Sequence, residues 1–144
     1  MPVKPVPEGY RTVTPYLIVQ DADALLKFVR AAFNATVNEE HRSPDGRVVH
    51  ADFTIGDSHV MLGQSGDRWP ASPGTVLLYV EDADATYKAA LAAGGTSLQE
   101  MTTQFYGDRS GGVKDPSGVS WWISTHVEDV SKEELERRMA AAHR

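Results

Sequence analysis

The chain has 144 residues, of which 41% are hydrophobic and 24% are charged, a composition typical of a globular protein. Its net charge of −6 and its lack of a basic patch argue against nucleic-acid binding, and the absence of cysteine excludes disulfides and thiolate ligands. No apolar run approaches the ~20 residues of a membrane helix, and the first residues lack the apolar region of a secretory signal. We therefore expect a cytoplasmic protein that binds neither nucleic acid nor a membrane.

A repeated sequence motif divides the chain into two related halves. The segment 19–24 (VQDADA) recurs at 80–85 as VEDADA, a shift of 61 residues, and Lys27 then aligns with Lys88. Two copies are too few for a solenoid, but they are typical of one domain with internal pseudo-symmetry.

Each copy predicts the same order of elements. A short apolar strand (16–19 and 76–80) ends just before Asp21 or Asp82, which are typical helix N-caps, and a helical pattern follows. Turn signals then separate three further strands in each copy. These predicted strands are 36–42, 47–55, 58–63, 96–102, 110–114 and 119–125.

These elements predict an α+β fold in one domain, residues 1–144. It comprises a first βαβββ module (10–64), a linker (65–74), a second module (75–126) and a C-terminal helical tail (127–144). In the tail, Ser131 and Glu134 form an S-x-x-E capping box, which predicts a helix that runs to about residue 142.

The doubled βαβββ unit, with a D-P-x-G turn at 115–118 before the last strand, resembles the glyoxalase/bleomycin-resistance/dioxygenase (vicinal oxygen chelate) superfamily. Four strings resemble its PhnB-like branch: TPYL at 14–17, IGDS at 55–58, YVED at 79–82 and FYGDR at 105–109. The resemblance implies a curved mixed sheet with helices on its convex face, a pocket on its concave face and a homodimer. It also implies that enzymes of this type hold a divalent metal in the pocket.

The same resemblance places the four metal-ligand positions at Thr14, Met61, Thr75 and Trp122. Thr14 and Thr75 differ by 61 residues, as do Met61 and Trp122, so the repeat agrees with the assignment. Threonine is a weak donor, a thioether suits soft metals, and an indole offers only an N–H group. We therefore predict no metal, no other cofactor and no catalytic residue at these positions.

Strand alternation brings a mixture of aromatic, hydroxyl and histidine side chains to the predicted pocket. The candidate ligand-binding residues are Tyr16, His50, Asp52, Phe105, Arg109 and Trp122. His50 and Asp52 are two apart on one face of a strand and so can touch, either as a functional pair or as a solvated one. Arg109 lies in a loop that either covers the pocket or forms a local ion pair with Asp108. Trp69 is either a lid or a dimer contact.

These residues favour a metal-independent protein that binds a small flat or cationic organic molecule. Bleomycin-resistance proteins suggest sequestration of an antibiotic or a toxic metabolite as the purpose. The alternative is a metal-dependent lyase, isomerase or dioxygenase with displaced ligands drawn from His50, His59 or Glu39. A third hypothesis is an assembly protein whose dimer surface matters and whose cavity is filled by its own side chains.

Overall fold

A computed structural model describes residues 3–142 of the protein, which form eight strands and three helices. In chain order the elements are β1 (Tyr16–Val19), α1 (Ala22–Phe33), β2 (Thr36–Arg42), β3 (Val48–Ile55), β4 (Ser58–Gln64), β5 (Thr75–Tyr79), α2 (Ala83–Ala92), β6 (Thr96–Thr103), β7 (Asp108–Lys114), β8 (Ser120–His126) and α3 (Lys132–Ala142).

The eight strands form two four-stranded mixed sheets of identical topology. Sheet A has the order β1-β4-β3-β2 and sheet B the order β5-β8-β7-β6, and in each the first-named pair is parallel while the others are antiparallel. Tyr16 lies opposite Met61 in sheet A, and Leu77 lies opposite Trp122 in sheet B. The two registers are related by the 61-residue shift of the sequence repeat, so the prediction of two βαβββ modules is confirmed.

Both modules anchor the start of their helix in the same way. The carboxylates of Asp21 and Asp82 cap α1 and α2. Each accepts a hydrogen bond from the backbone amide of the third helical residue, Ala24 or Ala85. At repeat-equivalent positions, the side chains of Gln64 and Thr125 accept a hydrogen bond from the first helical amide, at 3.0 and 2.9 Å. The end of each module's last strand therefore fixes the helix against its sheet.

One face of each sheet packs against the helices and forms the core. The helix-facing residues of β1, β4 and β8 are buried there, including Val19, Leu62 and Trp121. The opposite face of each sheet, which carries Tyr16 and Met61 in sheet A and Leu77 and Trp122 in sheet B, is called the open face below. Alternation of side chains across a strand separates the two faces.

Val49 departs from this alternation. The pattern places it on the core face with Ala51 and Phe53, which are buried, but Val49 is 41% exposed. The pairing of β2 with β3 is irregular at this point, between the His41–His50 pair and the Arg42–Val48 pair. A bulge adds a residue on one strand and breaks strict alternation, which is why Val49 leaves the core face.

The D-P-x-G turn has a structural role in the second module. The Asp115 carboxylate is buried and accepts from the Trp121 indole nitrogen at 2.7 Å and from the Val119 amide at 3.1 Å. Gly118 closes the turn with φ +99°, a conformation that favours glycine. The motif therefore holds the largest buried side chain of sheet B in place.

Candidate functional site

The open face of sheet A carries an aromatic surface built around Tyr16. The ring of Tyr16 covers Gly63, since a Cβ added to that glycine would lie 3.0 Å from the Tyr16 hydroxyl and 3.1 Å from its Cε1. The His50 ring centroid lies 5.8 Å from that of Tyr16, and the His41 centroid lies 5.6 Å from that of His50. Tyr16 remains 50% exposed, so one side of this surface is available to a ligand.

A cavity of about 450 Å³ lies beside this surface. The residues that line it are Tyr16, Ile18, Val49, Gly63, Gln64 and Trp69. Trp69 is 60% exposed, and the guanidinium of Arg68 lies 5.5 Å from its ring centroid. The linker reaches this position because Ser72 pairs with Ile18 through backbone hydrogen bonds of 2.7 and 3.4 Å. Aromatic walls with few polar groups are typical of small-molecule sites.

Further along the same open face, Asp52 is the centre of a polar cluster. Its carboxylate is 1% exposed and accepts from the Tyr10 hydroxyl at 2.5 Å, the Asn38 amide at 2.8 Å and His59 Nδ1 at 2.8 Å. Burial raises the pKa of Asp52, but the three hydrogen bonds outweigh it and hold the pKa below its ordinary value. The hydrogen bond to Asp52, with burial, raises the pKa of Tyr10 to about 12.

The predicted contact between His50 and Asp52 is replaced by other pairings. Asp52 bonds to His59 on the neighbouring strand, while His50 packs beside Tyr16 and His41. The Glu39 carboxylate accepts a hydrogen bond from His41 Nε2 at 2.6 Å. The carboxylates of Asp52 and Glu39 are therefore both engaged within the chain.

The open face of sheet B repeats the combination of an aromatic ring over a glycine. Trp122 covers Gly112, because a Cβ at that position would lie 2.6 Å from Trp122 Cζ3. Nearby, Asp108 is buried and accepts from the Tyr79 hydroxyl and from His126 Nδ1, both at 2.8 Å. Hydrogen bonds to Asp108 and then to Asp129 raise the pKa of His126.

The predicted site residues of the second module do not join Tyr16 and His50. Arg109 lies in β7, and its guanidinium bonds to Asp84 of α2 at 2.8 and 3.0 Å rather than to Asp108. Phe105 lies at the turn between β6 and β7, with its ring against Tyr106 and its carbonyl bonded to Arg138 of α3. Because β7 begins two residues earlier than predicted, Arg109 belongs to a strand and faces the helix side.

Sequence reasoning missed Tyr10 and Asn38. Tyr10 precedes β1, and nothing in its neighbourhood indicates a contact with a residue 42 positions away. Asn38 reaches Asp52 because the pairing of β2 shifts between Val37 and Glu39, an irregularity that strand alternation does not predict.

Comparison with known proteins identifies the family. Residues 11–123 match the sequence model of the Glyoxalase/Bleomycin resistance protein/Dioxygenase superfamily. The chain belongs to this superfamily. An uncharacterised protein of Mycobacterium bovis is 33% identical over 140 residues, which cover 90% of this chain and 92% of the relative.

Solved structures with low sequence identity to this chain share its fold. TioX from Micromonospora superposes with a TM-score of 0.69 at 23% identity, over 81% of this chain and 99% of TioX. A glyoxalase/bleomycin resistance protein/dioxygenase family enzyme from Burkholderia phytofirmans superposes with a TM-score of 0.62 at 17% identity, over 79% and 97% of the two chains. Membership of the PhnB-like branch stays a prediction.

The superfamily's metal position can be tested against the side chains that occupy it. Thr14 and Met61 line one cavity of about 390 Å³ in sheet A, which confirms that these two positions are neighbours. In sheet B, Thr75 lies opposite Ser120, and Trp122 covers Gly112. The two threonine hydroxyls are only weak neutral oxygen donors, the Met61 thioether suits soft metals, and the indole nitrogen of Trp122 offers no lone pair to a metal. The residues therefore do not fit the metal at this position.

The displaced metal site is not assembled either. Across residues 3–142, no three His, Asp or Glu side chains are grouped so that they could hold a metal ion. His59, His50 and Glu39 instead contact Asp52, Tyr16 and His41, respectively.

Among the described helices, none has the length and apolar character needed to cross a membrane. The cytoplasmic location stays a prediction.

Proposed function

We propose that this protein binds a small planar organic molecule on the open face of sheet A, and that it does so without a metal ion. The observation that carries this proposal is the half-exposed ring of Tyr16, which covers Gly63 and lines a cavity with Trp69. Sequestration of an antibiotic or a toxic metabolite is the role that we propose for such binding.

The chemistry of the cavity supports a planar ligand. Tyr16 and Trp69 are 50% and 60% exposed, so both rings offer surface for stacking. Aromatic pairs contribute about 0.5–1.5 kcal/mol beyond the burial of their area. The volume of about 450 Å³ is within the range typical of small-molecule pockets.

The side chains at the superfamily's metal position support independence from metal. The resemblance places metal ligands at positions 14, 61, 75 and 122, where this chain has Thr, Met, Thr and Trp, none of which is a strong donor to a hard divalent metal. Affinity would then come from stacking and from burial of apolar area, at about 25 cal/mol per Å².

The proposal can be tested by a thermal-shift screen of planar aromatic compounds, because any ligand that binds the native state raises its stability by mass action. A compound found in this way should quench the fluorescence of Trp69, and replacement of Trp69 by Leu or Tyr16 by Ala should weaken binding at least about tenfold. Leu98→Ala, which removes a similarly exposed side chain from β6, is the control. Unchanged affinity in both site variants would contradict the proposal.

We also propose that a second copy of this chain covers the open faces and completes the site. In a single chain, Tyr16, Leu77 and Tyr79 are 50%, 53% and 64% exposed on these faces. A cleft of about 1130 Å³ runs beside β5, an edge strand that pairs only with β8 in the described sheets. Exposed apolar patches and free strand edges are typical of interaction surfaces.

Light scattering after size-exclusion chromatography tests this assembly. We expect a dimer, and we expect Leu77→Lys to shift it towards monomer because the substitution places a charge among the apolar residues of the open face. Met139→Lys, on α3, should leave the dimer intact. A wild-type monomer at the concentration used for ligand binding would overturn the assembly proposal.

A further inference from the structure

The N-terminal segment crosses the open face of sheet A and is called the strap below (residues 3–13). It forms one wall of the cavity of about 390 Å³ whose other side is formed by Thr14 and Met61. Residues 3–9 and 11–13 are exposed, and Tyr10 alone in this segment is partly buried. The attachment of the strap to the sheet therefore depends mainly on the side chain of Tyr10.

Tyr10 contacts the sheet as a separate phenol molecule would. Its ring stacks on His59 with centroids 4.0 Å apart and an interplanar angle of 22°. Its hydroxyl donates to Asp52 at 2.5 Å, and the carboxylate receives further hydrogen bonds from Asn38 and from His59. Imidazole and carboxylate are thus held in place by the sheet itself, and the strap contributes only the phenol.

We propose that this place is a binding subsite for the phenol group of a ligand, and that Tyr10 is its intramolecular occupant. This inference rests on the proposed function, since it names a chemical class for ligands of the same open face. The recognising groups are the imidazole of His59, which stacks on an aromatic ring, and the carboxylate of Asp52, which accepts from a hydroxyl. An arene without a hydroxyl would leave one lone pair of a buried carboxylate without its donor.

The strap competes with an external phenol. Because Tyr10 is tethered, its effective concentration at the subsite is high, and a ligand binds only the fraction of molecules in which Tyr10 has left. Beyond Tyr10, the strap is held by the Arg11–Asp57 ion pair, which joins two exposed side chains and adds little to its attachment. Removal of the Tyr10 ring should therefore reveal the full affinity of the subsite.

The test compares 4-fluorophenol with fluorobenzene, each followed by fluorine NMR. Tyr10→Ala should bind 4-fluorophenol at least about tenfold more tightly than wild type does, and about tenfold more tightly than it binds fluorobenzene. In Tyr10→Ala/Asp52→Asn, the preference for the phenol should fall to about threefold or less. A folded Tyr10→Ala that binds neither compound, or binds both equally, would overturn the inference.

Wild-type protein provides a second measurement should Tyr10→Ala fail to fold. Millimolar 4-fluorophenol should shift the amide signals of Gly9 and Tyr10 and the ring signals of His59 as the strap is displaced, whereas fluorobenzene at the same concentration should not. Absence of these shifts overturns the phenol subsite. Failure here, with screened ligands still dependent on Tyr16 and Trp69, would leave the proposed function standing, so the two failures are distinguishable.

Discussion

Tyr10 donates a hydrogen bond to Asp52 across 42 positions of sequence, with 2.5 Å between the two oxygens. The contact joins the strap, which precedes β1, to the centre of sheet A. Since Asp52 is 1% exposed, its charge depends on hydrogen bonds from Tyr10, Asn38 and His59 rather than on water. The stability of the first module and the position of the strap are therefore linked through one carboxylate.

Removal of the Tyr10 hydroxyl tests this link. Tyr10→Phe keeps the ring on His59 but removes one donor from Asp52, and hydrogen bonds to charged groups contribute about 1.5–3 kcal/mol. We expect the free energy of unfolding in urea to fall by about that amount, and amide exchange in the strap to accelerate. Tyr106→Phe, at an exposed turn, is the control. An equal effect of the two substitutions would contradict the link.

Alkaline titration tests the same contact through the ionisation of the Tyr10 phenol. The fold raises the pKa of Tyr10 to about 12 from 10.0, so it favours the protonated phenol. The stabilisation is complete below pH 10 and is lost as the pH rises towards 12. Phenolate absorbance should show a tyrosine that ionises late in wild type and is missing in Tyr10→Phe. If the ionisation missing from Tyr10→Phe fell near the ordinary value of 10.0, the contact with Asp52 would be absent.

His126 predicts a pH dependence of stability near neutrality. Its two ring nitrogens contact Asp108 and Asp129, each at 2.8 Å, and only the imidazolium form can donate to both. Its pKa is therefore raised above 6.5, the stabilisation is complete below pH 6.5, and it is lost as the pH rises through the raised value. His126→Gln should remove this part of the pH dependence.

The His126 titration is best measured by NMR on its ring protons, in wild type and in Asp108→Asn. We expect the apparent pKa of His126 to lie above 6.5 and to fall when Asp108 is replaced by Asn. An apparent pKa at or below 6.5 would contradict the two-carboxylate geometry.

Gly112 is required by the position of Trp122. A Cβ there would lie 2.6 Å from Trp122 Cζ3, whereas a Cβ at Gly66 meets nothing within 4 Å. Gly112→Ala should displace the indole and reduce stability by about 1–3 kcal/mol, the usual cost of overpacking. Near-ultraviolet circular dichroism should report the displaced ring. Gly66→Ala is the matched control, and an unchanged spectrum in Gly112→Ala would place Trp122 elsewhere.

The fold could be predicted from the sequence because the signals for its strands, turns and helix caps are local and occur twice, once in each module. The 61-residue shift relates Tyr16–Met61 to Leu77–Trp122 in the structure as it does in the sequence, and Asp21 and Asp82 cap the helices as expected. Strand alternation then separates the buried face from the open face.

The candidate site could be predicted only in part, because its decisive contacts are long-range or irregular. Tyr16 and His50 are neighbours as strand geometry requires, but the partners of Asp52 come from the strap and from a bulged strand. Arg109 is paired with Asp84 on a helix, a contact that the local sequence, with Asp108 next to it, does not reveal. The alternation pattern within one β-strand indicates which face of the sheet a residue lies on. It does not indicate which distant residue contacts it there.

The central claim is that ligand binding depends on the aromatic surface of sheet A and not on a metal. The most direct measurement is the dissociation constant of a compound from the planar-ligand screen, determined by calorimetry with and without a chelator, for wild type and Tyr16→Ala. We predict a constant that the chelator leaves unchanged and that Tyr16→Ala raises at least about tenfold. Binding that the chelator abolishes, that one equivalent of divalent metal restores and that Tyr16→Ala leaves intact would contradict the claim.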